Sequence, residues 1–263
     1  MIFLYLLIGA ATGLLSGLLG VGGGVIIVPA FFWVFYTIHL PLTFAMHFAI
    51  AGSLAVMALT SLVAAFFHYH RGNVELSLIK KLLPGMVLGV LLGSNLAAMA
   101  KTSLLELLFG ILLLVIAFRL FFVRQKIAQE GQVIHLPGWL TLSLIMVVVG
   151  LCAGLLGVGG GVLIIPVLTA FGISMHKAAG VSASLIVPVA LIGALNFMLL
   201  GVRDHVHFMH STGYLYWPAI LLTVIGGAIF APLGTALGAR FHHEVLKKIY
   251  AVLLFLIGLH FLL

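Results

Sequence analysis

No lysine, arginine, aspartate or glutamate occurs before Arg71, and residues 131–176 and 205–239 are equally free of formal charge. One bilayer crossing takes roughly 20 apolar residues, so runs of this length hold several crossings and the bilayer must act as solvent. The rest of the chain agrees: 64% of its 263 residues are apolar and 6% charged, with a mean hydropathy of +1.36, outside the range of soluble domains. The formal net charge of +7 is spread over short segments between apolar runs. It therefore reports membrane orientation and excludes a nucleic-acid face. The single cysteine, Cys152, lies in an apolar stretch, has no intramolecular disulfide partner and reads as a packed thiol.

The chain repeats itself. Residues 13–29, GLLSGLLGVGGGVIIVP, and residues 150–166, GLCAGLLGVGGGVLIIP, agree at 13 of 17 positions without a gap. Farther on, Ser53-Leu54 aligns with Ser184-Leu185, and Gly93 to Ala97 with Gly234 to Gly238. The opening MIFLYLLIGAATGLL lacks a basic stretch and continues into the repeated segment, so it is expected to be a permanent part of the fold rather than a signal peptide. The expected organisation is an N-terminal transmembrane repeat over 1–122, a polar cytoplasmic linker over 123–137 and a C-terminal repeat over 138–263. Each half reads as a glycine-interrupted opener (2–38; 138–172) followed by three apolar helices, near 44–67, 79–99 and 103–122, then 178–199, 214–238 and 245–262.

Charge distribution decides whether an opener crosses once or doubles back. If both openers are hairpins, ten of the twelve basic residues fall on one side, leaving Lys101 and Arg203 opposite. If both cross once, the split is seven against five. The hairpin arrangement is expected. It starts the two halves from opposite faces of the membrane, so the fold class is an all-α integral membrane protein of two inverted repeats, each a glycine-broken helical hairpin plus three transmembrane helices. Both termini would be extracytoplasmic. Inverted repeats with interrupted helices recur in secondary transporters, whose sites lie near the midplane.

Three successive glycines cost about 1 kcal/mol each in a helix interior and predict a break there. In lipid an unwound backbone must meet protein, water or a ligand. The helix resuming after each break would present free N–H groups and a partial positive charge, which holds an anion without a buried cation. Gly20, Gly22, Gly23, Gly24 and Pro29, with Gly157, Gly159, Gly160, Gly161 and Pro166, are the candidate substrate-binding residues on this ground. The alternative use of glycine is tight helix packing, and Gly9, Gly13 and Gly17, like Gly85, Gly89 and Gly93, have the four-residue spacing of that use. Among polar residues inside the spans, His47, Ser53, Asn95, Ser182, Ser184 and Asn196 are further candidates, because such residues are costly there. For the hydroxyls the competing reading is a bond to their own helix.

The five acids, Glu75, Glu106, Glu130, Asp204 and Glu244, fall in loops or near span ends, which disfavours a buried carboxylate relay. The His68/His70 and His205/His207/His210 clusters lack a metal-binding frame. The segment HYHRGNVELSLIKK reads as a cytoplasmic turn. No GxSxG or HExxH motif supports an enzyme, no catalytic residue is assigned, and no cofactor or metal is expected. An anion channel or accessory subunit without alternating access remains the alternative to a carrier.

With these residues in hand, the chain resembles the TauE/SafE family of sulfite and organosulfonate exporters. The resemblance rests on the paired GLLGVGGGxxxxP segments, the two Ser-Leu pairs, the HRGNV turn at His70 to Val74, and the stretch from STGYLYWPAI to APLGTALGARF. It implies export of a small sulfur-containing anion, such as sulfite, sulfoacetate or another organosulfonate, across the bacterial inner membrane. The expected partners are that anion and the lipid bilayer, with no nucleic acid; a homo-oligomer is compatible with it.

Overall fold

The computed structural model describes residues 1–19, 23–38, 40, 42–122, 138–238 and 243–263. The 123–137 linker, together with Gly20 and Gly22, lies outside the described residues. Helices account for nearly everything described: α1 (Ile2–Leu19), α2 (Gly24–Thr37), α3 (Ala45–His70), α4 (Leu76–Met99), α5 (Thr102–Phe122), α6 (Trp139–Leu156), α7 (Gly161–Ala170), α8 (Met175–Arg203), α9 (Trp217–Gly238) and α10 (His243–Leu262). Six of them, α3, α4, α5, α6, α8 and α9, are long and apolar enough to cross a bilayer. α2 and α7, with 14 and 10 residues, reach only about 21 and 15 Å, short of the roughly 30 Å hydrocarbon core.

Two local expectations need correction. α3 runs on to His70, so both histidines of the expected turn are helical, and the turn shrinks to Arg71–Glu75 around Gly72 at φ +71°. The helix expected from 214 begins only at Trp217. Before it, Ser211–Thr212 (β1) pairs antiparallel with Leu215–Tyr216 (β2), because Gly213 at φ +57° turns the chain there.

The first opener doubles back. Gly23 lies beside Thr12, whose Cβ is 3.5 Å from where a Cβ on the glycine would stand, and Phe31 meets Tyr5 at 6.3 Å between ring centroids. Positions therefore descend along α1 as they ascend along α2. α2 then packs antiparallel to α3, from Gly24 against Met57 to Phe35 against Phe48.

The longest helix contacts join the two sequence halves: α1 lies along α9, α4 along α6, α3 against α8 and α5 against α10. The α1–α9 and α4–α6 seams are backbone against backbone. Gly226 faces the Leu6 carbonyl and Gly9, and Gly234 faces the Leu14 carbonyl; Gly85 faces the Ser143 carbonyl, and Gly93 faces that of Leu151. The register that lays Gly13 on Gly150 also lays Leu6 on Ser143 and Leu14 on Leu151. The register that lays Gly93 on Gly234 lays Gly85 on Gly226. The same glycine contacts thus occur twice, with the halves exchanged. Gly9, Gly13, Gly85, Gly89 and Gly93 serve packing, as their spacing predicts.

One end of the bundle is closed by an aromatic layer in which Phe35, Phe48, Phe208, Tyr214 and Tyr216 meet edge to face. The hairpin of β1 and β2 carries the two tyrosines, Tyr214 in its turn and Tyr216 in β2.

Candidate functional site

The two breaks share a sequence but not a backbone. Gly157, at φ +69°, closes α6 with its N–H donating to the Ala153 carbonyl at 2.9 Å, a left-handed helix cap. Gly159 at φ +66° and Gly160 at φ +78° follow, and α7 starts at Gly161. Three left-handed residues in four positions require glycine. In the first break the counterpart of Gly160 is Gly23, also the residue before its helix, yet its φ is −82°, open to any side chain.

The breaks abut. A Cβ on Gly24 would stand 2.8 Å from the Gly157 carbonyl oxygen, and one on Gly157 would stand 2.9 Å from Ile50 Cα and 3.1 Å from Val28. Ser53 on α3 donates its hydroxyl to that same Gly157 carbonyl at 2.8 Å, with both groups buried. Ser53 therefore ties the first half to the break of the second. Its repeat-related partner does not do the converse, for Ser184 bonds back to the Gly180 carbonyl of its own helix at 2.9 Å. Ser53→Ala should lower stability by about 1–2 kcal/mol, because it leaves a buried carbonyl unpaired. Ser184→Ala should stay within about 0.5 kcal/mol, and thermal melts of the purified variants check both.

The start of α7 is buried, and no side chain caps it. Leu163 and Ile164 donate to the Gly160 carbonyl, whereas the N–H groups of Gly161 and Val162 find no partner among the described residues. Those two donors and the helix dipole give this buried point a partial positive charge that no side chain among the described residues caps. α2 likewise begins at Gly24 without a side-chain cap. Pro29 and Pro166 are each the sixth residue of their helix rather than in its first turn. There each removes the N–H that would bond the carbonyl four residues back, Val25 in α2 and Val162 in α7.

The other candidates disperse. His47 is buried at the aromatic end, stacked on Tyr214 at 5.3 Å and 25°, with the backbone of Ala97 and Ala100 beside its ring. Tyr214 in turn donates to Asp204 at 3.4 Å, and Asp204 pairs with Arg203 at 2.9 Å. Ser182 is buried, and its hydroxyl has no partner among the described residues. Asn196 donates to Ser94 Oγ of α4 at 2.7 Å, linking the halves. Two residues at these junctions escaped the sequence reading. Ser94 could have been found beside its aligned counterpart Thr235; Met57, an apolar residue in an apolar helix, gave no signal. No cluster of three or more metal-ligating side chains occurs among the described residues.

Six candidate spans, with two short helices that begin at glycine breaks inside the bundle, define a multi-pass membrane protein of the interrupted-helix kind. The chain belongs to the sulfite exporter TauE/SafE family, whose profile matches residues 5–261, and it is a membrane transporter rather than an enzyme. A "Probable membrane transporter protein" of Haemophilus influenzae is 27% identical to it over 98% of this chain and 97% of its own length. "Probable membrane transporter protein YdhB" of Bacillus subtilis is 27% identical over 96% and 95%. A similarly described protein of Methanocaldococcus jannaschii is 24% identical over 99% and 95%. No solved structure matches the chain.

Proposed function

We propose that this transporter exports a small sulfur-containing anion, sulfite or a short organosulfonate, across a bacterial inner membrane, holding it between the two glycine breaks. The observation that carries the reading is the buried, uncapped start of α7, where the N–H groups of Gly161 and Val162 have no partner among the described residues, next to the start of α2. Backbone donors at a helix N-terminus bind an oxyanion with no lysine or arginine nearby. That suits a chain with so few charges in its spans. In this reading Gly20, Gly22, Gly23 and Gly24, with Gly157, Gly159, Gly160 and Gly161, form the cradle; Pro29 and Pro166 shape its two helices. Ser53, Ser182 and Ser184 stand on the helices beside it, and His47 and Asn196 lie farther along them.

An inverted pair of repeats with both termini extracytoplasmic supplies the frame for alternating access. It is supported by the exchange-related glycine contacts of the two seams, by the doubling back of α2 along α1, and by the ten-to-two division of basic residues. α7, at about 15 Å, spans about half the hydrocarbon core, which suits a re-entrant limb whose start lies at depth.

The test is flux in proteoliposomes containing the purified protein, with sulfite, sulfoacetate, isethionate, taurine and sulfate offered in turn. Saturable flux of one or more of the sulfur oxyanions is expected. No flux of any of them would overturn the reading, and conductance that never saturates would replace the carrier with a channel.

A further inference from the structure

One flexible side chain lies against both breaks. Met57 of α3 is 1% exposed, and its thioether touches both breaks. A Cβ on Gly24 would stand 2.7 Å from its Sδ and its Cε, and one on Gly159 would stand 2.6 Å from Sδ and 2.9 Å from Cε. Ser53, one helical turn earlier on α3, is fixed to the Gly157 carbonyl, so the backbone that carries Met57 is pinned against the second break. The side chain is not pinned. Methionine has three rotatable bonds and no branch, and it repacks at low cost. A second thioether flanks the first, with Met86 Cε 3.0 Å from where a Cβ on Gly160 would stand. The repeat offers no twin of Met57: the register that pairs Ser53 with Ser184 puts Pro188 opposite it, a ring that cannot swing aside.

We propose that Met57 sets the size limit of the transported anion. The inference rests on the anion reading above and adds to it which residue discriminates. The backbone N–H groups answer to negative charge, and the volume left beside them is what the Met57 thioether gives up when it swings away. A compact oxyanion needs a small displacement. A sulfonate with an organic tail needs the thioether to leave altogether.

The experiment is counterflow in proteoliposomes with no pH gradient, comparing initial rates for sulfite and sulfoacetate in wild type, Met57→Ala, Met57→Val and Met57→Leu. Removing the thioether in Met57→Ala should raise the sulfoacetate-to-sulfite ratio about tenfold or more, the scale on which pocket volume discriminates between ligands. Met57→Val should shift it in the same direction and serves if the alanine variant does not elute as a single species. Met57→Leu, close in volume, should keep the wild-type ratio within about twofold. A folded Met57→Ala or Met57→Val protein with an unchanged ratio would overturn the proposal while leaving the anion site intact. Absence of flux for either anion in wild type would remove the site and this proposal together.

Discussion

Gly89→Leu is expected to yield no monodisperse protein. A Cβ there would stand 2.7 Å from the Leu151 amide nitrogen and 2.9 Å from Gly150 Cα, and closer still to the Val147 carbonyl oxygen. All three are backbone atoms of α6, so no rotamer change relieves the contact. The leucine can be admitted only by moving α4 away from α6, which opens the glycine seam from Gly85 to Gly93 and costs the van der Waals packing that holds membrane helices together. Overpacking a core typically costs 1–3 kcal/mol, and a site walled by backbone belongs at or above the top of that range, about 3 kcal/mol. Gly13→Leu, facing Gly227 at 2.8 Å Cα in the exchange-related seam, should fail the same way. Leu88→Ala serves as the control, since Leu88 is 53% exposed on the outer face. It should melt within about 0.5 kcal/mol of wild type. A Gly89→Leu protein that elutes and melts like wild type would contradict the seam.

The second large effect is on transport. Gly23→Val should abolish anion flux in proteoliposomes while the protein stays folded. The backbone at Gly23 has φ −82°, which valine adopts, and the nearest atoms to a new Cβ are Ile27 Cδ1 at 3.2 Å and Thr12 Cβ at 3.5 Å, side-chain rather than backbone atoms. Two methyl groups immediately before α2 would nonetheless cover the helix start where the anion is expected to rest. A fall of about 100-fold corresponds to about 2.7 kcal/mol of lost binding or raised barrier. Gly160→Val in the second break should lose flux too, but it must also fold with a β-branched residue at φ +78°, which costs of order 1–3 kcal/mol. A lower melting midpoint should accompany it. The informative pair is therefore folded and inactive against destabilised and inactive, and wild-type flux in Gly23→Val would sink the anion site.

The helices were legible in the sequence because lipid enforces the pattern. Charge-free runs marked the spans, triple glycines marked where α2 and α7 begin, and glycines four apart marked the seams, each through a cost that applies whatever the partner helix is. Partner choice was not legible. Ser53 and Ser184 occupy aligned positions, yet one reaches across to Gly157 and the other turns back on its own helix. A hydroxyl satisfies itself either way, so the sequence carries no preference. Gly23 and Gly160 differ in the same manner, identical in the repeat and opposite in the sign of φ. Met57 was invisible because its role depends on two chain segments meeting around it, one from each half. The second strand of the hairpin at Ser211–Tyr216 was hidden because the apolar run that begins at Tyr214 continues through it into α9.

The two glycine seams also decide what can move. α1 is sealed to α9 and α4 to α6, and each seam joins a helix from one half of the chain to a helix from the other. Rocking the N-terminal half against the C-terminal half as two blocks would have to tear both seams at once. The building blocks of the bundle are therefore not the repeats of its sequence: each of these tightly packed pairs is a unit made from both copies.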